Sequence, residues 1–206
     1  PILDALHRAR SLTSDSDLGK HIDAKITEME TGAAEDRNES WGAWIQSNSK
    51  IGFVLGTGIE LYLDGEKGVR GAAQGILYIV NEDYQSLADT MAALLPQMEK
   101  DAPWQVKQDI DPDQLPNLQF VNVVNSSGFY NLFPNNVVAE SLPDDEEIVK
   151  QYGSVNLVFT NVQEAIAEAG ETNYIINEFF ITESVTPYRE LMFKTNMTMT
   201  AAHELG

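Results

Sequence analysis

Strand-like and helix-like stretches alternate irregularly along this chain, and their order limits the folds open to it. Four stretches are rich in β-branched and aromatic residues, which is typical of strands: KIGFVLGTGIELYLD at 50–64, GILYIVN at 75–81, LQFVNVVNSS at 118–127 and SVNLVFTNV at 154–162. Helical patterns separate some of these stretches but not others. Because strand, helix and strand do not follow one another regularly, the sequence predicts an α+β fold rather than a βαβ arrangement.

Two helices are predicted at the start of the chain, over residues 2–10 and 17–31. Gly32 follows the second helix and is a natural residue for a helix end, because glycine tolerates the left-handed conformation found there. The segment GAAEDRNES at 32–40 then predicts a polar connection to the first strand region.

Three more helices are predicted further along the chain. The first extends from Glu82 to Lys100, with Asn81 as its N-cap. Its buried face is predicted from residues at three- and four-residue spacing: Tyr84, Leu87, Met91, Leu94 and Met98. Pro143 opens a short acidic helix that ends at Gly153. Thr186 and Pro187 begin a final helix that extends through YRELMFKTNMTMTAAHELG.

The charge balance excludes one large class of partners. The chain has 13 Lys and Arg against 32 Asp and Glu, which gives a net charge of −19. Nucleic acid is not expected as a partner, because phosphate binding needs clustered basic residues. The acidity favours solubility, and its second interpretation is attraction of cationic ligands such as peptide amines. The absence of Cys excludes disulfides, thiolate metal sites and thiol nucleophiles.

The N-terminal stretch PILDALHRAR has no apolar core of a signal peptide and does not begin with Met. No apolar run approaches the length of a membrane span, so no membrane partner is expected. From these features we expect a fragment of a longer, cytoplasmic protein.

The stretch AAHELG at 201–206 suggests metal chemistry. In one kind of zinc peptidase site, two His residues four apart on a helix hold one Zn²⁺, and the Glu beside the first His takes a proton from water. His203 and Glu204 fit the first two positions, and the second His would be residue 207. The alternative is an exposed His-Glu pair at a frayed helix end. The other two histidines, His7 and His21, are predicted to be surface residues without a metal.

Two longer stretches carry a resemblance to a known family. WIQSNSKIGFVLGTGIELYLDGEKGVRGAAQGILYIVN at 44–81 and SLPDDEEIVKQYGSVNLVFTNV at 141–162 resemble segments of dipeptidyl peptidase III enzymes, the M49 metallopeptidases, including their relatives fused to Nudix domains. The resemblance covers residues 41–206. It implies two lobes around a cleft, one built on a small barrel-like core of mixed or antiparallel strands and one helical and zinc-binding. We therefore expect three parts: a helical N-terminal segment at 1–40, a strand-rich core with helices at 41–165, and the truncated start of the zinc lobe at 166–206.

The resemblance also implies residue roles and a zinc cofactor. Family members release dipeptides from the N-terminus of oligopeptides. By resemblance, His203 is the first zinc ligand, Glu204 the general base and Tyr62 the donor to the developing oxyanion. Glu60 would hold the α-ammonium group of the substrate, and Ser141 and Asp144 replace two amides that help to hold it. Glu60, Tyr62 and Asp64 alternate in a predicted strand, so their side chains would share one face.

Two other functions remain open at this point. AAHELG is also how many metzincin endopeptidases begin their zinc motif. The chain is also compatible with a non-catalytic module that binds peptide N-termini. For the 206 residues alone we expect no peptidase activity, because a single His does not make a three-ligand zinc site.

Overall fold

The computed structural model describes most of the chain: residues 1–57, 59, 61–64, 66, 68–71, 73–107, 109, 117–128, 130, 137–169 and 182–205. For residues 61–64, 69, 70 and 182 the structure describes the backbone only. Helices and strands are mixed irregularly along the chain, which confirms the predicted α+β class.

The helices are α1 (Ile2–Leu12), α2 (Ser16–Thr31), α3 (Ala34–Ile45), α4 (Glu82–Asp101), α5 (Glu146–Tyr152), α6 (Thr160–Ala169) and α7 (Arg189–Glu204). A helical turn at Thr182–Val185 and a 3-10 turn at Thr186–Tyr188 lead into α7, with Pro187 in the first 3-10 positions. In the described part of the chain, no helix is long and apolar enough to cross a bilayer.

The strands are β1 (Ile51–Gly56), β2 (Leu61–Asp64), β3 (Gly68–Gly71), β4 (Gln74–Val80), β5 (Asn117–Gly128), β6 (Ala139–Leu142) and β7 (Val155–Phe159). Five of them form a sheet in the order β1-β4-β5-β7-β6 that curls into a half-barrel, while β2 and β3 form a separate hairpin. β5 and β7 are parallel and the other neighbours are antiparallel, so the sheet is mixed, as predicted.

The first two helices begin and end close to the predicted residues. The side chain of Asp15 accepts hydrogen bonds from the backbone N–H groups of Asp17 and Leu18 and caps α2. Gly32 ends this helix at φ 66°, in the left-handed region, as predicted.

The predicted polar connection at 32–40 is wrong, because residues 34–45 form helix α3. Its N-cap is Ala33, which has no capping side chain, so the usual sequence signal for a helix start is missing. Acidic residues in its first turn, Glu35 and Asp36, suit the helix dipole. α3 also crosses the predicted boundary between residues 40 and 41, and the division of the chain into three parts stays a prediction.

The prediction of a surface position for His21 is also wrong. Its side chain is 3% exposed and stacks on Phe53 of β1, with ring centroids 4.1 Å apart. Leu6, Ile22 and Ile26 pack around Phe53 and join α1 and α2 to the sheet. His21 therefore belongs to a core layer. The sequence did not indicate this burial, because the stacking partner comes from a strand that is distant in sequence.

One face of the sheet carries the largest core of the described residues, called here the α3-side core. Its buried members include Trp41 and Trp44 of α3 and residues of all five strands: Val54, Ile76, Tyr78, Val121, Leu142, Val155, Leu157 and Phe159. The indole N–H of Trp44 donates to the hydroxyl of Tyr78 at 2.9 Å, which satisfies both groups inside the core. Gly52 is required beside this pair, since a Cβ there would lie 2.2 Å from the Tyr78 ring.

The opposite face packs against α4 and α7 through a second core, which contains Ala88, Met91, Leu118, Phe120, Val158, Met197 and Ala201. Asn81 caps α4 as predicted, by accepting from the backbone N–H of Asp83. The predicted buried face of α4 is confirmed only in its first half. Leu94 and Met98 are 50% and 51% exposed, so the predicted apolar stripe is not buried in the second half of α4.

Two further boundaries differ from the predictions. The short acidic helix α5 ends before Gly153 as predicted, but it begins after Asp145, whose side chain accepts from the backbone N–H groups of Glu147 and Ile148. Pro143 lies before this cap. The predicted strand at 154–162 ends at Phe159, because helix α6 begins at Thr160.

Candidate active site

The candidate site lies at the C-terminal end of α7. Met197 and Ala201 are fully buried one turn apart, so this stripe of the helix packs on the sheet. His203 follows on the exposed side and Glu204 is half-buried. The two predicted chemical groups therefore sit at the point where α7 meets β6 and β7.

Partial burial changes the pKa of the Glu204 carboxyl. Desolvation raises its pKa above the ordinary value, and the neighbouring charge of His203 opposes this shift. A carboxylate with a raised pKa accepts a proton more readily at neutral pH, which suits a general base.

One hydrogen bond joins the main chain of Glu204 to the sheet, and a second one within the sheet holds its donor. Ser141 and Asn156 face each other across the β6–β7 pair, and the Ser141 hydroxyl donates to Asn156 Oδ1 at 2.8 Å. Asn156 Nδ2 in turn donates to the main-chain carbonyl of Glu204. Ser141, which was predicted from the family resemblance, thus lies two hydrogen bonds from the candidate base.

A second amide connects the middle of α7 to the same region. Gln163 of α6 is 4% exposed, and its Nε2 donates to the carbonyl of Val138, just before β6. Its Oε1 accepts from Nδ2 of Asn196 in α7 at 3.4 Å. The lead-in to β6 and the body of α7 are therefore linked through one buried side chain.

The strand β6 also carries a buried carboxylate on its other face. Glu140 is 6% exposed and accepts a hydrogen bond from the hydroxyl of Tyr130. Because side chains alternate along a strand, Glu140 points into the α3-side core while Ser141 points toward α7. Glu140 therefore belongs to the core and not to the end of α7.

Asp144 is exposed in the connection between β6 and α5. Its neighbour Asp145 accepts a hydrogen bond from the Arg37 guanidinium at 2.7 Å, which ties this connection to α3. The backbone at Asp144 is thus held from both sides, by β6 and by a capped, ion-paired helix start.

The remaining predicted residues lie elsewhere or outside the described part. Tyr62 lies in β2 opposite Arg70 of β3, and the position of its side chain is not described. Glu60 lies outside the described residues. The structure therefore brings Ser141 together with Glu204, and it does not test a contact of Tyr62 or Glu60 with the end of α7.

The described residues contain no complete metal site. Within them, no three His, Asp or Glu side chains are close enough together to hold a metal ion. His203 is exposed at the end of a helix, and an imidazole is a residue type that binds zinc. Its role as a zinc ligand stays a prediction.

Sequence analysis missed Asn156, although a signal was present. It is the one amide in VNLVF, a strand whose other residues are apolar, and it is fully buried. A polar side chain at such a position needs hydrogen-bond partners, which makes it a candidate for a specific link.

Comparisons with known proteins identify the family and the fold. The sequence matches the family model described as Peptidase family M49 over residues 1–206. The structure is similar to that of dipeptidyl-peptidase III from Corallococcus sp. strain EGB, with a TM-score of 0.62 and 23% identity, over 79% of this chain and 30% of the other. It is also similar to DPP III from Caldithrix abyssi, with a TM-score of 0.76 and 20% identity, over 99% of this chain and 38% of the other. A comparison with curated protein sequences gives no significant match. The chain thus spans about a third of the length of the two solved structures.

Proposed function

The chain belongs to peptidase family M49, and from this premise we propose that it supplies part of the active site of a zinc-dependent dipeptidyl peptidase. The observation that carries the proposal is the end of α7, where an exposed imidazole adjoins a half-buried carboxylate in a chain of this family. A neutral imidazole is a common zinc ligand, and a carboxylate beside it is a suitable general base.

The proposed chemistry is hydrolysis of the second peptide bond from a free N-terminus. His203 would hold zinc together with ligands from the rest of the protein. When bound, zinc would lower the pKa of a water molecule and polarise the scissile carbonyl. Glu204 takes the proton from the attacking water and passes it to the leaving amine. Tyr62 donates to the oxygen of the scissile carbonyl as negative charge develops on it.

The substrate N-terminus is proposed to be held by carboxylates. Glu60 pairs with the α-ammonium group, and Asp144 adds a second negative charge at the exposed connection after β6. Such a pair fixes how far a peptide enters the cleft, and this sets the length of the released product. The net charge of −19 favours approach of a cationic peptide terminus.

The outer edge of β6 is proposed to bind the substrate peptide in an extended conformation. β6 is at the edge of the five-stranded sheet, and within the described residues no strand pairs with its outer side. Free backbone groups at a sheet edge bind extended peptides through main-chain hydrogen bonds. β6 carries Ser141 and leads directly to Asp144, so a peptide there would lie near both.

The isolated 206 residues are proposed to be inactive. One imidazole with surface carboxylates gives no closed three-ligand site, so zinc would bind weakly and without defined geometry. In this state the chain would bind peptides without cleaving them, as a non-catalytic module does.

The test compares the full-length protein with residues 1–206, using one peptide in free and N-acetylated forms. We expect the full-length protein to release dipeptides from the free peptide only, with the activity abolished by a chelator, and the 206 residues to release none. Glu60→Gln should raise KM for the free peptide about tenfold or more, since a charge-assisted pair is lost. Equal cleavage of both peptides at internal bonds would indicate a metzincin-type endopeptidase instead. Chelator-sensitive release by the 206 residues would contradict the proposed incomplete site.

A further inference from the structure

Asn156 is a buried amide in an apolar strand. Its side chain is 0% exposed, and its neighbours in β7, Val155 and Leu157, belong to the α3-side core. An amide in this setting is costly unless both of its ends are hydrogen-bonded. Its two partners lie on different elements, Ser141 on β6 and Glu204 on α7.

The orientation of this amide is determined by its partners. The main-chain carbonyl of Glu204 can only accept a hydrogen bond, so the NH₂ group of Asn156 has to face it. Oδ1 then faces Ser141, whose hydroxyl can donate. The bond to Glu204 therefore depends on an amide at position 156, because a carboxylate would present an oxygen to the carbonyl. A carboxylate would still accept from Ser141, whereas a methyl group would bond to neither partner.

The hydrogen bond from Asn156 holds the main chain of the residue that is proposed as the general base. The carbonyl is bonded to the Cα of Glu204 itself, so holding it fixes the point from which the carboxylate side chain starts. A carbonyl oxygen has two lone pairs, so this bond is compatible with a helical hydrogen bond to the same oxygen. The apolar contacts of Met197 and Ala201 hold α7 on the sheet, but they are not directional and do not determine its position to a fraction of an ångström.

Resting on the function proposed above, we propose that Asn156 is a positioning residue that fixes Glu204 relative to β6, with Ser141 orienting its amide. The same strand edge that is proposed to receive the peptide thus carries the hydrogen bond that orients the base. Ser141 acts through Asn156 in this arrangement, which differs from the direct contact with the substrate that the family resemblance implies for its position. The scissile carbonyl of a peptide bound at β6 and the carboxylate of Glu204 are then both positioned by the β6–β7 pair.

The matched test uses Asn156→Asp and Asn81→Asp in the full-length protein. Asn81 Nδ2 donates to Thr160 Oγ1 at 3.1 Å and to Asn122 Oδ1 at 3.4 Å, so its substitution also removes a partly buried donor. Neither partner is on α7. The control therefore reproduces the chemical change, an amide replaced by a carboxylate with loss of an N–H donor, away from Glu204.

We expect Asn156→Asp to lower kcat about 10–100-fold with KM within about twofold, since this is the usual cost of losing a group that orients a catalytic residue. Zinc content should stay unchanged. Asn81→Asp should keep kcat within about twofold of the wild type. Ser141→Ala, which leaves the amide in place but unoriented, should lower kcat by less than Asn156→Asp. This variant tests the same link if Asn156→Asp does not fold.

Hydrogen exchange provides a readout that does not depend on activity. Backbone amides of residues 202–205 should exchange about tenfold faster in Asn156→Asp than in the wild type, and not in Asn81→Asp. If the wild-type protein releases no dipeptides, the proposed function fails while the exchange comparison still decides the role of Asn156. Equal exchange at 202–205 in both variants, or equal kcat in both, would overturn the proposal.

Discussion

Two histidines in this chain have opposite environments. His21 of α2 lies in the core layer between the N-terminal helices and β1, stacked on Phe53. His203 lies at the exposed end of α7 beside Glu204. Burial lowers the pKa of His21 to about 3, with a smaller contribution from the positive charge of Lys25, so His21 is neutral at all ordinary pH values.

The comparison shows that burial determines what a histidine side chain is available to do. His21 offers its ring face to an aromatic partner and contributes to stability. His203 is exposed, and its companion Glu204 is desolvated enough for its pKa to rise. A residue type that suggests metal chemistry in a sequence is therefore informative only together with its burial.

The largest expected contrast is in stability. His21→Ala should lower the free energy of unfolding by about 3 kcal/mol, because a buried ring is removed from a packed site. His203→Ala should change it by less than about 0.5 kcal/mol, as is usual for surface substitutions. Urea unfolding of the two variants measures both values. A small loss for His21→Ala would mean that the layer between α2 and β1 is loosely packed.

A smaller contrast is expected in the response to acid. The unfolded state binds a proton at His21 near pH 6.5, whereas the folded state does so only near pH 3. The contribution of His21 to stability is thus complete above pH 6.5 and decreases as the pH falls toward 3. Between pH 7 and pH 5 it should decrease by about 2 kcal/mol.

The matched control for the loss of stability at low pH is His21→Phe, which keeps an aromatic ring on Phe53 and cannot titrate. Its unfolding free energy should lack this part of the pH dependence. The same acid sensitivity in His21→Phe and in the wild type would assign the effect to other groups.

Much of the fold could be predicted because its signals are local. Gly32 marks the end of α2 and Asn81 marks the start of α4, since each acts on backbone groups within four residues. Strand composition likewise located β1, β4, β5 and β7. The His-Glu pair and the position of Ser141 were also visible in the sequence.

The features that could not be predicted depend on distant partners. α3 has no capping side chain, and Trp41 and Trp44 are buried by strands that come later in the chain. The burial of His21 requires Phe53, and the meaning of Asn156 requires the carbonyl of Glu204, 48 positions later. Such contacts are decided by the tertiary structure and leave no local pattern.

The central claim is that the end of α7 performs proton transfer in peptide hydrolysis. The most direct measurement is the rate of dipeptide release by the full-length, zinc-loaded protein and its Glu204→Gln variant. Glu190→Gln serves as control, since Glu190 lies on the same helix in an exposed ion pair with Lys194 at 2.7 Å. We expect Glu204→Gln to lower kcat about 100–10,000-fold, as loss of a general base does, with zinc content unchanged and Glu190→Gln near the wild type. Near-normal turnover by a zinc-loaded Glu204→Gln variant would contradict the claim.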